Sequence, residues 1–234
     1  MQLLQNQNVV KLKVSSLRLP RRITPGEAIK LQKKLSPLII ETSVLPSRIA
    51  SLVGCDATYY SGLTIAAAVQ VDYEKLSPIK SLSVIERTRF PYIPGLLTFR
   101  EAPSVLRAIR SLHARNYICL VDAHGIAHPR RFGLACFVGL ALDRPTIGVA
   151  KSLLYGRAEG NRVLDNEKNQ LAELVTTPSG KTIYVSVGHR ISLVDAVEIV
   201  KYAMASAGPI PITLAHDEVT KKKWRLKKSN QASS

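Results

Sequence analysis

The chain has 234 residues, of which 46% are hydrophobic, and its 33 Lys and Arg residues outnumber its 17 Asp and Glu residues, which gives a formal net charge of +16. A chain of this length and composition can bury a sizeable core, so a disordered protein is excluded and a globular one is predicted. A charge this positive is typical of proteins that bind polyanions, of which nucleic acid is the commonest, although some basic proteins bind none.

Cysteine usage and hydropathy narrow the class of protein further. The three cysteines, Cys55, Cys119 and Cys136, lie within apolar runs and have no CxxC spacing, which predicts buried reduced thiols rather than disulfides or a zinc site. No apolar run approaches the ~20 residues that span a membrane, and residues 1–8 lack the features of a signal peptide. We therefore expect a cytoplasmic protein with no membrane partner.

The first half of the chain predicts one helix and a meander of strands. Residues 1–22 are polar and basic without a clear period, and they are interpreted as an extension. A helix is predicted to start after Thr24 as N-cap, with Pro25 at its first position and Glu27 completing a capping box. Strands are predicted at 49–58, 63–71 and 79–89. The short links between them favour antiparallel pairing.

The second half alternates strands and helices. Buried strands are predicted at 117–122 and 145–150, and an edge strand at 182–187, after a stretch of loops over 156–180. Helices are predicted from Pro103, from Pro129 through the apolar run 132–142, over 192–205 with Ser192 as N-cap, and over 213–228. This succession predicts an α/β fold with a mixed sheet flanked by helices, formed by a single domain over 23–228 and followed by a short tail at 229–234.

Two aspartates interrupt or end apolar strands. Asp56 follows the run Leu52–Cys55, and Asp122 follows Leu120 and Val121. A charge on a buried strand costs several kcal/mol unless it is paired or binds a metal, although a single such aspartate is often a turn or cap residue. With Glu101 near them, a three-carboxylate cluster is predicted, and hard oxygen ligands select Mg²⁺ or Mn²⁺.

Glu101 has a second interpretation. Thr98 and Glu101 have the spacing of a capping box, in which Glu101 would only fix the start of a helix. Pro103 argues against that arrangement because it would then fall at the fifth helical position, where proline breaks a hydrogen bond. With Ala102 as the cap, Pro103 takes the favoured first position and Glu101 stays free outside the helix.

The histidines and lysines are individually ambiguous. His124 and His128 have the i, i+4 spacing of a zinc helix, but Gly125 between them disfavours a helix and no third ligand lies nearby. His216 and Lys151 are either ordinary surface residues or parts of a site, Lys151 as a partner of a phosphate. The basic run at 221–228 is either a solvated tail or a contact with a phosphate backbone.

The segment 90–101 combines a stiff loop with a carboxylate. Pro91 and Pro94 fix φ and remove N–H donors on either side of Tyr92 and Ile93, so this stretch is neither strand nor helix. A rigid tip that carries a tyrosine and an isoleucine indicates a feature that inserts into a partner.

Three long motifs in order, at 91–101, 121–131 and 145–151, closely resemble the endonuclease V family of deoxyinosine-directed repair nucleases. The resemblance runs from about residue 53 to 151 and continues weakly to residue 216. It implies a ribonuclease H-like fold with a central mixed five-stranded sheet. It also implies Mg²⁺-dependent hydrolysis, with Mn²⁺ able to substitute, of the second phosphodiester bond 3′ to deoxyinosine, which leaves 3′-hydroxyl and 5′-phosphate ends.

The resemblance assigns roles to individual residues. The metal cluster would comprise Asp56, Glu101 and Asp122, with His216 completing the site and Lys151 near the cleaved phosphate. A strand-separating wedge would comprise Pro91, Tyr92, Ile93 and Pro94. The pocket for the flipped base would comprise Gly95, Leu97, Ala123, Gly133 and Leu154.

Two positions depart from the family pattern. The family usually has glycine at the position of Ala123, and the extra methyl group could narrow the base pocket or alter lesion preference. The family commonly has histidine at the position of Phe137, so one polar group near the pocket-side helix is removed. The expected partner is DNA containing deoxyinosine, bound by a monomer. Alternatives are the same fold acting on inosine in RNA or on branched or mismatched DNA, and a non-catalytic basic protein that binds nucleic acid with the same wedge.

Overall fold

The structure of the protein is a computed structural model that describes residue 17, residues 19–205 and residues 208–232. Most of the predicted extension at 1–22 lies outside these residues, but Leu17 and Leu19 pack against the hydrophobic core. Among the described residues, no helix combines the length and apolar character that crossing a membrane requires.

Within the described residues, five α-helices and nine strands form the framework. The helices are α1 (Pro25–Leu35), α2 (Leu97–Ser111), α3 (Leu134–Leu142), α4 (Leu193–Tyr202) and α5 (Ile210–Ala232). The strands are β1 (Ser51–Tyr60), β2 (Leu63–Asp72), β3 (Pro78–Arg87), β4 (Tyr117–Val121), β5 (Thr146–Ala150), β6 (Arg157–Glu159), β7 (Arg162–Leu164), β8 (Gln170–Thr176) and β9 (Thr182–His189). Two further two-residue strands, Met204–Ala205 and Gly208–Pro209, pair with each other just before α5.

All nine strands belong to one sheet, in the order β3-β2-β1-β4-β5-β9-β8-β7-β6. Strands β1 to β3 form the predicted antiparallel meander, and β4 and β5 continue the sheet in parallel from β1. Strand β9 then pairs antiparallel with β5, and β8, β7 and β6 follow it as hairpins. The mixed sheet flanked by helices is thus confirmed.

The predicted number of five strands is wrong, and so is the assignment of residues 156–180 to loops. This stretch contains β6, β7 and β8, of which the first two are only three residues long and β6 is exposed throughout. Such short strands carry no apolar periodicity, so only their pairing within the folded sheet reveals them. Strand β9 is consequently an interior strand and not the predicted edge.

The start of α2 also differs from the prediction. The helix begins at Leu97, so Glu101 lies within it and Pro103 lies in its interior, and no side chain caps it. Proline at this position deprives the carbonyl of Phe99 of its helical partner, which costs about 3 kcal/mol. The Pro103 ring faces solvent, while Phe99, Ala102 and neighbouring residues bury the opposite face. Packing of that face stabilises a helix that local rules would end.

Two other helix starts shift for local reasons, while two caps are as predicted. Helix α3 begins at Leu134 rather than Pro129, because residues 128–133 form a tight turn in which Arg131 has a φ of +46°. Helix α5 begins at Ile210, three residues before its predicted start. The caps of α1 and α4 by Thr24 and Ser192 are confirmed.

The core lies on both faces of the sheet. Successive residues of β2 point to opposite faces of the sheet. One face packs with α5 and carries Ile65, Ala67, Val69 and Val71, and the other joins the main core with α2 and α3 and carries Ala66 and Ala68. The cysteines Cys55, Cys119 and Cys136 are buried and free, as predicted. A Cβ at Gly54 would overlap the backbone of Pro211, so α5 starts in direct contact with β1. This close approach fixes the position of the first turns of α5 beside the middle of β1.

Candidate active site

Asp56, Asp122 and His216 come together at the centre of the sheet. Strands β1 and β4 are parallel neighbours with Cys55 opposite Val121, so the next residues along each strand, Asp56 and Asp122, lie side by side. Helix α5, seated on Gly54, brings His216 to the same point. One ligand atom from each of the three residues lies within 4.8 Å of the other two.

Hydrogen bonds orient each member of this cluster. The Nδ1 atom of His216 lies 2.8 Å from Oδ2 of Asp56, and the other oxygen of Asp56 accepts a bond from the Ala57 N–H at 2.7 Å. Lys151, which follows β5, donates to Oδ2 of Asp122 at 2.5 Å. The side chains of Asp56 and Asp122 are 11% and 9% exposed, so both carboxylates are largely withdrawn from solvent.

The electrostatics of the cluster favour a cation. Burial raises the pKa of Asp56, and the neighbouring charge of Asp122 raises it further. Two crowded carboxylates and an imidazole nitrogen are a donor set that suits a divalent cation, because carboxylate oxygens are preferred by hard ions and imidazole is also tolerated. The residues present therefore fit a bound metal ion.

Glu101 lies beside this cluster but outside the group of three mutually close ligands. Its side chain is buried in α2, and the Tyr59 hydroxyl donates a hydrogen bond to it. Burial raises the pKa of Glu101 to about 8, and the charges of Asp56 and Asp122 add to this effect. The predicted position of Glu101 outside the helix is wrong, and so is the capping box with Thr98, since Thr98 is buried within α2. Glu101 instead lies within the helix, close enough to the two aspartates for their charges to act on its carboxyl group.

A cavity of about 240 Å³ adjoins the cluster. Its walls include Asp122 and Lys151, three residues of the predicted wedge and all five residues predicted for the base pocket: Tyr92, Ile93, Pro94, Gly95, Leu97, Ala123, Gly133 and Leu154. We call it the first cavity. The structure thus brings together residues that are up to 62 positions apart in the sequence.

The proline loop at the mouth of the first cavity is anchored at its base and free at its tip. Gly95, at a φ of +78°, turns its carbonyl toward three donors from other elements. These donors are Arg130 at 2.7 Å, His128 at 2.9 Å and Gln32 at 3.0 Å. The tip residue Tyr92 is 68% exposed. A side chain at the tip can therefore contact a partner without moving the loop.

Sequence reasoning missed these anchors, although one of them carried a signal. Gln32 is fully buried on the apolar face of α1, where an unpaired amide is unfavourable, and it bonds to the carbonyls of Gly95 and Phe132. Burial lowers the pKa of His128 to about 4, so its ring is neutral. Tyr59, whose hydroxyl binds Glu101, and Arg100, which lies 4.0 Å above the Tyr59 ring, were also missed.

His124 and His128 do not form a zinc site. Each has its own backbone partner, the carbonyl of Ser152 at 2.8 Å for His124 and that of Gly95 for His128. Within the described part of the chain, neither histidine belongs to a group of side chains able to share a metal ion.

The two departures from the family pattern lie in different environments. Ala123 lines the first cavity, so its methyl group takes space there. Phe137 is 1% exposed and packs edge-on against Phe132, with ring centroids 6.4 Å apart. It belongs to the core and does not line the cavity.

A second cavity of about 440 Å³ meets the first at Asp122 and Lys151, which line both. Its remaining walls come from β5, from the β8–β9 turn and the start of β9, and from residues 208–209 and the first turns of α5. His216 and Lys181 are among them, and Lys181 was not predicted from the sequence. Asp122, one member of the cluster, thus lies between the two cavities.

Proteins of similar sequence match most of the chain. A family model described as Endonuclease V matches residues 33–217. Endonuclease V of Desulfurococcus amylolyticus is 41% identical over 198 residues, which cover 80% of this chain and 90% of that protein. The Thermus thermophilus enzyme is 38% identical over 215 residues, covering 85% and 93%.

Solved structures agree with these matches. Endonuclease V from Streptomyces avermitilis superposes with a TM-score of 0.80 at 30% identity, covering 92% of this chain and 98% of that one. Ciona intestinalis endonuclease V, in complex with a 24mer DNA containing an inosine followed by a ribo-adenosine, gives a TM-score of 0.79 at 27% identity, covering 86% and 98%. The family predicted from the three motifs is confirmed: the chain belongs to the endonuclease V family and is a nuclease that acts on phosphodiester bonds.

Proposed function

We propose that the protein is a Mg²⁺-dependent endonuclease that recognises deoxyinosine in DNA and hydrolyses the second phosphodiester bond on its 3′ side, leaving 3′-hydroxyl and 5′-phosphate ends. The observation that carries this proposal is the junction at Asp122 and Lys151, where a cluster suited to a cation meets a cavity bordered by a rigid loop. The relative from Ciona intestinalis, solved with DNA containing an inosine, supports the choice of lesion.

In this proposal, Asp56, Asp122 and Glu101, which lies beside them, would hold the ion, and His216 would complete the site. The bound ion would lower the pKa of a coordinated water molecule and neutralise charge on the phosphate. Lys151, bonded to Asp122, is placed to contact a phosphate oxygen. His216 is held through Nδ1, so its other ring nitrogen is left for a water molecule or a phosphate.

The first cavity and the loop would recognise the lesion. Extruding a base costs a few kcal/mol of stacking and pairing, and a damaged or weakly paired base costs least. Tyr92 and Ile93 would occupy the space that the extruded base leaves, as apolar wedges do in other proteins that bend or open DNA. Gly95 and Gly133 line the cavity with backbone rather than side chains, so a planar base can approach the main chain closely.

The rest of the molecule is consistent with nucleic-acid binding. The order β3-β2-β1-β4-β5, with acids on β1 and after β4, supports a ribonuclease H-like core within the larger sheet. Along β1, Asp56, Thr58 and Tyr60 face α5, where Lys223 lies 3.4 Å from Thr58 and Lys227 lies 6.0 Å from the Tyr60 ring. These two lysines continue the site as a basic surface that can contact phosphates.

A second candidate substrate is inosine in RNA. The DNA bound by the Ciona intestinalis relative carries a ribo-adenosine directly after the inosine, so that protein accommodates a ribonucleotide next to the lesion. A purely binding role is disfavoured, because a protein that only binds nucleic acid gains nothing from crowded carboxylates that face a phosphate.

The test uses four labelled substrates that differ only at one position: duplex DNA with inosine or adenosine, and single-stranded RNA with inosine or adenosine. Each is incubated with Mg²⁺ or with EDTA, and the products are sized. We expect cutting of the inosine-containing DNA alone or faster than the RNA, one nucleotide beyond the lesion, and only with Mg²⁺. Cutting that ignores inosine, or that persists in EDTA, would contradict the proposal.

A further inference from the structure

The second cavity borders the cluster through Asp122 and His216, but it lies outside the cavity proposed to receive the lesion. Its volume of about 440 Å³ lies within the range of about 300–1,000 Å³ that is typical of ligand sites. One wall is apolar and includes Val149, Ile183 and Ile212, and the other carries the lysines Lys151 and Lys181. A ligand with an apolar body and an anionic group fits such a lining.

Lys181 is held in place by the hairpin between β8 and β9. Its carbonyl accepts a bond from the Thr177 N–H at 2.8 Å, and its own N–H donates to the Thr177 hydroxyl at 3.1 Å. Gly180, at a φ of +81°, completes the turn. The backbone of Lys181 is therefore fixed, while its side chain is exposed and forms none of the ion pairs found within residues 19–205 and 208–232. Lys181 therefore brings to the cavity wall a cation that has no ion-pair partner among the described residues.

The path of a nucleic-acid strand follows from the order of the three features. If the extruded base occupies the first cavity, the cleaved phosphate lies at the cluster, where Asp122 and Lys151 border both cavities. The cleaved bond lies on the 3′ side of the lesion, so the strand beyond the cluster is its 3′ segment. That segment leaves the cluster next to the second cavity and the first turns of α5.

We propose that the second cavity binds the nucleotide directly 3′ to the cleaved bond, and that Lys181 contacts the next phosphate along the strand. This inference rests on the proposed function, since it needs the cleaved bond to lie 3′ to the lesion. The apolar wall packs against the sugar and the base through apolar contact without hydrogen bonds to the base, so any base is accepted. Lys181 supplies the charge for a phosphate, and Thr213, one turn before His216, places a hydroxyl at the same wall.

A phosphate swap combined with a lysine substitution tests the contact. One set of inosine duplexes carries a neutral methylphosphonate at the first linkage 3′ to the cleaved bond, and a control set carries it three linkages further on. Wild-type kcat/KM is expected to fall about fivefold to tenfold for the first set, which lies between the effect of an exposed ion pair and that of a buried charge-assisted hydrogen bond. The control set is expected to show no such loss.

On the unmodified duplex, kcat/KM of Lys181→Ala should fall below the wild-type value by the same factor. On duplexes with the methylphosphonate at the first linkage, kcat/KM of Lys181→Ala should equal that of wild type, because the two changes remove one interaction. Lys181→Arg should retain most of the activity. Lys75→Ala, which removes the same charge from the turn between β2 and β3, should behave as wild type. The dependence of log Kd on log[salt] should become shallower by about 0.7–0.9 for Lys181→Ala only.

Independent, multiplying losses from Lys181→Ala and the methylphosphonate would overturn the assignment, as would unchanged activity in Lys181→Ala. Failure of the proposed function gives a different result, namely no inosine-dependent cutting by the wild-type protein on the unmodified duplex. In that case the same cycle is measured as binding in Ca²⁺, and loss of the coupling there would again refute the contact.

Discussion

The two cavities that meet at Asp122 and Lys151 are built in different ways. Part of the wall of the first is rigid backbone: the carbonyl of Gly95 is held by three donors, and Gly133 lies so close to His124 that a side chain there would overlap its carbonyl oxygen. The second is shaped by side chains from elements far apart in the sequence, among them the cation Lys181. Rigid backbone therefore distinguishes the first cavity, and the charge of Lys181 distinguishes the second.

This difference divides the work of recognition. A rigid backbone wall discriminates between bases by fit, whereas lysines bind phosphates whatever the base. Changes on the side of the proline loop should therefore reduce the preference for inosine. Changes on the side of α5 should weaken binding of damaged and undamaged DNA equally and alter its dependence on salt.

The largest effect is expected at the cluster that both sides share. Asp122→Asn keeps the shape of the side chain and removes its charge, so cation binding and cutting should both suffer, with kcat reduced by about a thousandfold or more. Binding of inosine duplexes in Ca²⁺ should be largely retained.

The matched control is Asp217→Asn, which removes the same charge from the exposed residue next to His216. It should leave kcat within about twofold of wild type. Near-normal cutting by Asp122→Asn would remove this carboxylate from the metal site.

The backbone wall of the first cavity can be tested by adding one methyl group. In Gly133→Ala the new Cβ must displace the carbonyl of His124, and overpacking of this kind costs about 1–3 kcal/mol. We expect kcat/KM on inosine duplexes to fall about tenfold to a hundredfold, with a lower midpoint of thermal unfolding.

Gly26→Ala provides the comparison, because a Cβ there meets nothing within 4 Å. That variant should match wild type in both measurements. If Gly133→Ala also matched wild type, the wall would be more compliant than its geometry indicates.

The sequence predicted the parts of the site that local chemistry determines. Asp56 and Asp122 were identifiable because each places a charge at an apolar strand, where only a partner or a metal makes it affordable. The stiffness of the loop followed from Pro91 and Pro94. The roles of His216 and of the residues lining the first cavity came from the family resemblance, since nothing in their spacing indicates that they meet.

The sequence did not predict what depends on tertiary contacts. Pro103 normally marks the start of a helix, but burial of the neighbouring face overrides that preference and places Glu101 inside α2. Strands β6 and β7 are only three residues long and carry no periodicity of their own, and they form by pairing outward from β8, which pairs with β9. Lys181 was missed for the same reason, since only the β8–β9 hairpin turns it toward the site.

The wedge should carry most of the selectivity of binding. Stacking of a base on an aromatic ring is worth about 1–3 kcal/mol, so Tyr92→Ala should weaken binding of inosine duplexes in Ca²⁺ by about tenfold. Binding of undamaged duplex should change less than twofold, because no base is extruded there. Trp224→Ala removes an aromatic ring of similar exposure, 55% against 68%, from α5. It should not alter the ratio of the two affinities, and an equal loss of both in Tyr92→Ala would count against insertion.

The smallest effect is expected on α5, where only the distribution of charge is at issue. Lys223 and Lys227 face β1 beside Thr58 and Tyr60, while Lys221 and Lys228 of the same helix contact Glu218 and Trp224. Each pair carries two positive charges, so the two double alanine variants have the same net charge. The variant at Lys223 and Lys227 should bind inosine and undamaged duplexes about threefold to tenfold more weakly, with a salt dependence shallower by about 1 to 2.

The variant at Lys221 and Lys228 should keep most of its affinity, because a surface on the far side of the helix from β1 does not follow the strand that leaves the cluster. Equal losses in the two variants would mean that the net charge of the protein, and not this basic surface, attracts the duplex. A loss confined to inosine duplexes would mean that α5 takes part in reading the lesion. The comparison of the two variants by salt titration therefore decides whether charge on this side of the cluster acts through position or only through its sum.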